Sequence, residues 1–170
     1  NQAHTTGTSV AIGELVQYEV VVRVPEGQSL AVTLTDTLDA GLVLVSLDSL
    51  TASPALSASA GSFADVLAAA TVSAVGSGST AAGRRVQLTF GTLTNADTDN
   101  ATSETITLRY TVAVLNASTV TRGALLNNAV TWAFTGGSAT AAAPNVTVVE
   151  PTLIVQKSAS PVSGDAGDTV

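Results

Sequence analysis

Apolar and polar residues alternate with period two along several stretches of this chain. Val16, Tyr18, Val20, Val22 and Val24 share one side of a run whose other side carries Gln17, Glu19 and Arg23. Successive side chains of a strand point to opposite faces of its sheet, so this run predicts a strand with one buried and one wet face. Ile106, Leu108, Tyr110, Val112 and Val114 repeat the pattern against Thr105, Thr107, Arg109 and Thr111, and shorter versions recur at Val86, Leu88, Phe90 and at Val130, Trp132, Phe134. Clean apolar-in, polar-out alternation favours antiparallel sheets. Turn signals at Pro25-Glu26-Gly27, Ala40-Gly41, Gly136-Gly137 and Pro144-Asn145 separate the runs. The expected strands lie near 14–24, 29–38, 41–48, 70–76, 84–91, 104–116, 126–135, 144–150 and 152–157. Many short, punctuated strands predict an all-β fold of two packed sheets, with Trp132 as a core anchor.

The alternation breaks between about Ser49 and Gly83, a stretch of Ala, Ser and Gly. It reads as an insertion crossing between the sheets, with a short helical turn over 63–70. The expected organisation is a β-sandwich over residues 1–150 carrying this insertion near 49–83, followed by a distinct segment, 151–170.

Composition narrows the function. With 45% hydrophobic residues the chain can build a core, whereas its net charge of −7 and six scattered cations do not suit a phosphate backbone. No nucleic-acid partner is therefore expected. No run approaches 18 apolar residues, so no membrane insertion is expected in this segment. There is no cysteine, which removes disulfides, thiolate nucleophiles and thiolate metal sites. Asn1 is not an initiator residue, so the chain reads as processed or excised from something longer.

Thr35-Asp36-Thr37-Leu38-Asp39-Ala40-Gly41-Leu42 resembles the T-D-T-L-P-x-G-L turn of a large class of repeats in bacterial and archaeal surface proteins, the domain-of-unknown-function family eleven and the related isopeptide-forming fimbrial repeats. Two further motifs flank it in matching order: Gly13-Glu14 leading into Val16, Tyr18 and Val20 before it, and Leu125-Leu126-Asn127-Asn128-Ala129-Val130 after it. The departure is Asp39, where the family carries proline. The resemblance implies an immunoglobulin-like antiparallel β-sandwich serving as a stalk, spacer or filament unit at the cell surface, and it names no ligand.

The resemblance also implies a chemistry. In the fimbrial repeats a first-strand lysine attacks an asparagine amide beside a buried acid; Asp36 matches the acid and Asn128 the acceptor. Residues 1–150 contain no lysine, so no isopeptide bond is expected to close within them, and Asp36 and Asn128 are expected to bond buried backbone near strand ends. Enzyme motifs are lacking: His4 is the lone histidine, no nucleophile elbow occurs, and no carboxylate pair suits hydrolysis. The chain is not expected to be an enzyme. Asn95, Asp97, Asp99, Asn100 and Glu104 gather oxygen donors of the kind calcium prefers, but position 6 of an EF-hand pattern is Asn100 and position 12 is Ile106; a solvated hairpin connection is the expectation, with no cofactor required. Asn100, Asn116 and Asn145 lie in glycosylation sequons.

Leu153, Ile154, Val155 and Lys157, followed by Ala166-Gly167-Asp168-Thr169-Val170, resemble the opening of another repeat. Setting Gly167 on Gly13 lays Lys157 over Ala3. The expected role is a structural repeat of an extracellular surface protein, stalk or filament, assembling with neighbouring repeats or other copies through this C-terminal strand. The strand either begins the next repeat of a tandem chain or is donated to a neighbouring subunit. An adhesin or carbohydrate-binding module is the alternative.

Overall fold

The computed structural model describes residue 5 and residues 7–78, 80–99, 101–150 and 154–158. Its strands are β1 (Ser9–Val10), β2 (Leu15–Val24), β3 (Gly27–Leu38), β4 (Leu42–Ala52), β5 (Leu56–Ala58), β6 (Thr71–Ser73), β7 (Arg85–Asn95), β8 (Glu104–Val114), β9 (Leu125–Leu126), β10 (Asn128–Phe134), β11 (Gly137–Ala142) and β12 (Val146–Val148), with one helix, α1 (Phe63–Ala68). They form an antiparallel β-sandwich. One sheet has the order β2-β8-β4; the other runs β11-β10-β3-β7-β5, with β6 also on β7. A small third sheet, β1-β12-β9, closes one end, with β1 parallel to β12.

The alternating residues lie where a two-faced sheet requires. Leu34, Leu88, Phe90, Leu108, Tyr110 and Val112 are all essentially inaccessible, while Glu19 and Arg109 pair across β2 and β8 on the wet face. On β2 the inward set behaves unevenly: Tyr18 and Val24 are buried, but Val16, Val20 and Val22 remain half-buried. The reason is positional. β2 is an edge strand, and nothing described covers the flank beside it.

The 49–83 stretch is ordered. The chain leaves the first sheet along β4, and β5 and β6 pair with the outer edge of β7. Between them, α1 starts at a capping box in which Ser62 and Asp65 satisfy each other's backbone. Val66 is buried beneath it, and Phe63 packs against Phe90 at 6.2 Å between ring centroids.

The structure departs from the expectations at four points. The 126–135 strand divides at Asn127 into β9, in the end sheet, and β10, in the main one. β11 was not foreseen: Gly136, at φ 99°, turns the chain back and the residues 137–142 pair along β10 although every one is exposed. Trp132 is half-buried rather than a central anchor, its ring tilted by 49° against Phe90 with 5.2 Å between centroids. For the expected strand at 152–157, residues 154–158 carry no secondary structure and are exposed, while Leu153 lies outside the described residues.

Candidate functional site: a buried Asp–Tyr–Asn triad beside an open groove

Asp36 and Asn128 are diagonal neighbours on the inner face of adjacent strands: β3 and β10 pair antiparallel with Asn128 opposite Leu38 and Val130 opposite Asp36. Both are deeply buried, at 1% and 4% exposure. The expectation that they bond backbone is not met. Instead the hydroxyl of Tyr110 reaches across from the opposite sheet, donating to Asp36 Oδ2 at 2.5 Å and accepting from Asn128 Nδ2 at 2.5 Å. Buried tyrosine hydroxyls require such partners, and this one ties the two sheets together. Tyr18, opposite Tyr110 in the β2–β8 register, stacks on it at 5.6 Å.

The triad leaves three buried polar atoms without a hydrogen-bond partner: Asp36 Oδ1, Asn128 Oδ1 and Tyr18 Oη. Orphaned buried oxygens are costly and rare. Burial pushes the Asp36 carboxyl up to about 6, against the partial pull of its Tyr110 and Asn128 hydrogen bonds. Burial, with the Asp36 charge behind it, moves Tyr18 up to about 12 and Tyr110 higher still. The site therefore holds a carboxyl that exchanges its proton near neutrality, next to a carboxamide, with both tyrosines held protonated.

These groups line a cavity of about 150 Å³ between the edges of β2 and β11, each paired on one side alone among the described residues, and walled by Val20, Val21, Val130 and Ala141. The same four residues also line a second cavity of about 330 Å³, continuing past Leu34, Trp132 and Phe134. Together they make one groove, polar at the Asp36 end and apolar at the Trp132 end.

The other predicted residues fall elsewhere. Asn95 is buried where β7 ends; its amide donates to Val24 O, and its side-chain oxygen accepts from Asp97 N. Asp99 Oδ1 accepts from Ala101 N, and Glu104 opens β8. These bonds are those of a hairpin connection held by side-chain turns, with Asn100 outside the described residues. Among the described residues no three His, Cys, Asp or Glu side chains gather to hold a metal ion. Asn116 and Asn145 are exposed, Asn145 accepting from Asn127. Ile154, Val155 and Lys157 are exposed beyond the sandwich. The sequence reasoning missed Tyr110, Tyr18 and the groove. A tyrosine on the apolar face of an alternating strand was the available signal.

The N-terminal domain of the Streptococcus gordonii adhesin Sgo0707 superposes on 82% of this chain with a TM-score of 0.52 at 14% identity. The chain shares the fold of that domain. It is also similar to BcpA, the major pilin subunit of Bacillus cereus (TM-score 0.48, 15% identity, 83% of this chain), and to ACE19, the collagen-binding subdomain of the Enterococcus faecalis surface protein ACE (0.42, 14%, 84%). The chain spans about a third of BcpA and of Sgo0707, but 92% of ACE19 corresponds to it. No protein-family model and no curated protein matches it. Among the described residues no helix is long and apolar enough to cross a membrane.

Proposed function

We propose that this sandwich is a structural repeat of an extracellular surface filament or stalk, and that copies join end to end when the C-terminal segment of one enters the groove between β2 and β11 of the next. The groove carries the reading. It runs beside two strand edges, each paired on one side alone among the described residues, and unpaired edges above an uncovered core are what strand addition satisfies. Its wall includes Val21, 53% exposed, and Phe134, also exposed. The segment offered to it, Ile154–Val155, is apolar and exposed, at 74% and 81%. The partners are other copies of the chain, the location is the cell surface, and the role is mechanical rather than enzymatic.

Deleting residues 151–170 tests this. The truncated protein should keep its fold by circular dichroism and lose end-to-end fibres in electron micrographs; fibres that persist would refute it. A second reading has one observation behind it: half-buried Trp132 and exposed Phe134 give the groove an aromatic wall suited to a bound apolar or carbohydrate ligand. Lone globules at the tip of the native assembly, rather than a periodic fibre, would favour that adhesin role.

A further inference from the structure

We infer that the cavity at Asp36 is a binding site for a hard monovalent metal cation, sodium or potassium, held by oxygens of Asp36, Asn128 and Tyr18. These side chains are only 1%, 4% and 8% exposed, and each carries an oxygen without a hydrogen-bond partner: Asp36 Oδ1, Asn128 Oδ1 and Tyr18 Oη. All three residues line the same cavity of about 150 Å³. One such orphan is rare in a folded protein, and three around one space form a donor set. Buried charges are paired or coordinate metals, and no lysine, arginine or histidine is among the described residues lining this cavity. The donors all come from one copy, so the site stands apart from how copies join.

Tyr110 fixes the set. Its hydroxyl takes up Asp36 Oδ2 and Asn128 Nδ2, which leaves the second carboxylate oxygen and the carboxamide oxygen as the donors to spare. The β11 edge adds a fourth oxygen. Ala143 N bonds to Asn128 O, so Ala142, opposite Ala129, falls in a non-hydrogen-bonded pair; its carbonyl points off the sheet edge, and the residue lines the cavity. Carboxylate, carboxamide, phenol and peptide oxygens are hard donors, suited to alkali and alkaline-earth ions rather than to zinc or copper. Charge then selects among the hard ions. Asp36 supplies one negative charge, and Glu19, which also lines the cavity, is engaged by Arg109 on the wet face. Calcium takes roughly six to eight oxygens, several of them from carboxylates, and magnesium requires a near-ideal octahedron. A lone carboxylate among neutral oxygens balances a single positive charge.

The test is thermal unfolding of the full chain at pH 8, where Asp36 is ionised, in sodium, potassium or tetramethylammonium chloride at equal concentration. The methyl shell of tetramethylammonium keeps its charge away from the oxygens, so that salt sets the baseline. The melting temperature should rise saturably with sodium or potassium, by about 3–6 °C at a roughly tenfold excess over the dissociation constant. Tyr18→Phe keeps the ring on Tyr110 and removes one donor, and it should move the midpoint of that titration to several-fold higher cation concentration. Asp36→Asn should erase the difference between the salts. Identical melting temperatures in all three salts overturn the site, as does an alkali-dependent rise that Asp36→Asn retains, which is a general salt effect. An unchanged midpoint in Tyr18→Phe overturns the three-oxygen donor set. A response to calcium alone, at matched ionic strength, overturns the monovalent assignment. Should Asp36→Asn fail to fold, the sodium NMR line width with wild-type protein decides: saturable broadening relieved by excess potassium upholds the site, and a line no broader than in buffer overturns it.

Discussion

Asp36 shows what a single residue carries in this fold. An acid at that position was legible as part of the turn motif, but its partner was not, because Tyr110 is 74 residues away and on the other sheet. The raised carboxyl has a definite sign. Folding strengthens proton binding at Asp36, so its contribution is full below its unfolded value near 4 and is lost as pH rises through about 6. A displacement of this size corresponds to about 2–3 kcal/mol. Denaturant unfolding at pH 5 and pH 7.5 should therefore show wild type losing stability relative to Asp36→Asn as pH rises; parallel curves would mean the carboxyl is not buried. The neighbouring turn explains itself as well. Asp39, where the resembling family has proline, accepts a hydrogen bond from Gly41 N at 3.0 Å and presets the turn by side chain instead of ring. Gly41 is required because a Cβ there would lie 2.5 Å from Leu126 Cδ2 and 2.8 Å from Val120 Cγ2. Gly41→Ala should cost about 1–3 kcal/mol in denaturant unfolding through this overpacking.

Among the elements, legibility followed the strength of the pattern. β2, β7 and β8 were readable because each buries one face against the other sheet, which forces period two on the sequence. β11 was unreadable for the complementary reason: Ser138-Ala139-Thr140-Ala141-Ala142 is exposed throughout and, among the described residues, held by backbone pairing to β10 alone, so no apolar alternation was demanded of it. The insertion near 49–83 hid β5, three residues on the margin of β7, whereas β6 lies inside the strand expected near 70–76. Trp132 was legible as inward-facing, but not as half-buried, since sequence does not reveal that none of the described residues covers the flank beside β2 and β11. Its truncation follows suit. Trp132→Ala should cost about 2–3 kcal/mol, below the 3–5 kcal/mol of a fully enclosed aromatic, and should weaken end-to-end assembly as well, because the ring lines the groove. A loss of stability with fibre formation untouched would remove Trp132 from the interface.

At the scale of the whole molecule, a groove filled by a neighbour makes stability a property of the assembly. A ligand that binds only the folded state adds RT ln(1 + [L]/Kd), about 2.7 kcal/mol at a hundredfold excess over Kd. If strand donation joins the copies, as proposed, the ligand is the C-terminal segment of another copy, and protein concentration itself sets the term. The melting temperature should rise with protein concentration. Saturating the groove should raise it by roughly 5–10 °C, given about 2–4 °C per kcal/mol for a domain of this size. Removing residues 151–170 should abolish the concentration dependence and hold the melting temperature at the low-concentration limit. A synthetic peptide of residues 151–161 added to the truncated protein should restore the rise. The sandwich itself must stay folded throughout, because its enclosed core, from Leu34 and Phe90 to Leu108 and Val112, lies between two sheets that do not depend on the groove. Melting temperatures that coincide for the full and truncated chains at every concentration, with no response to the peptide, would show that the edges of β2 and β11 are not where the next copy binds.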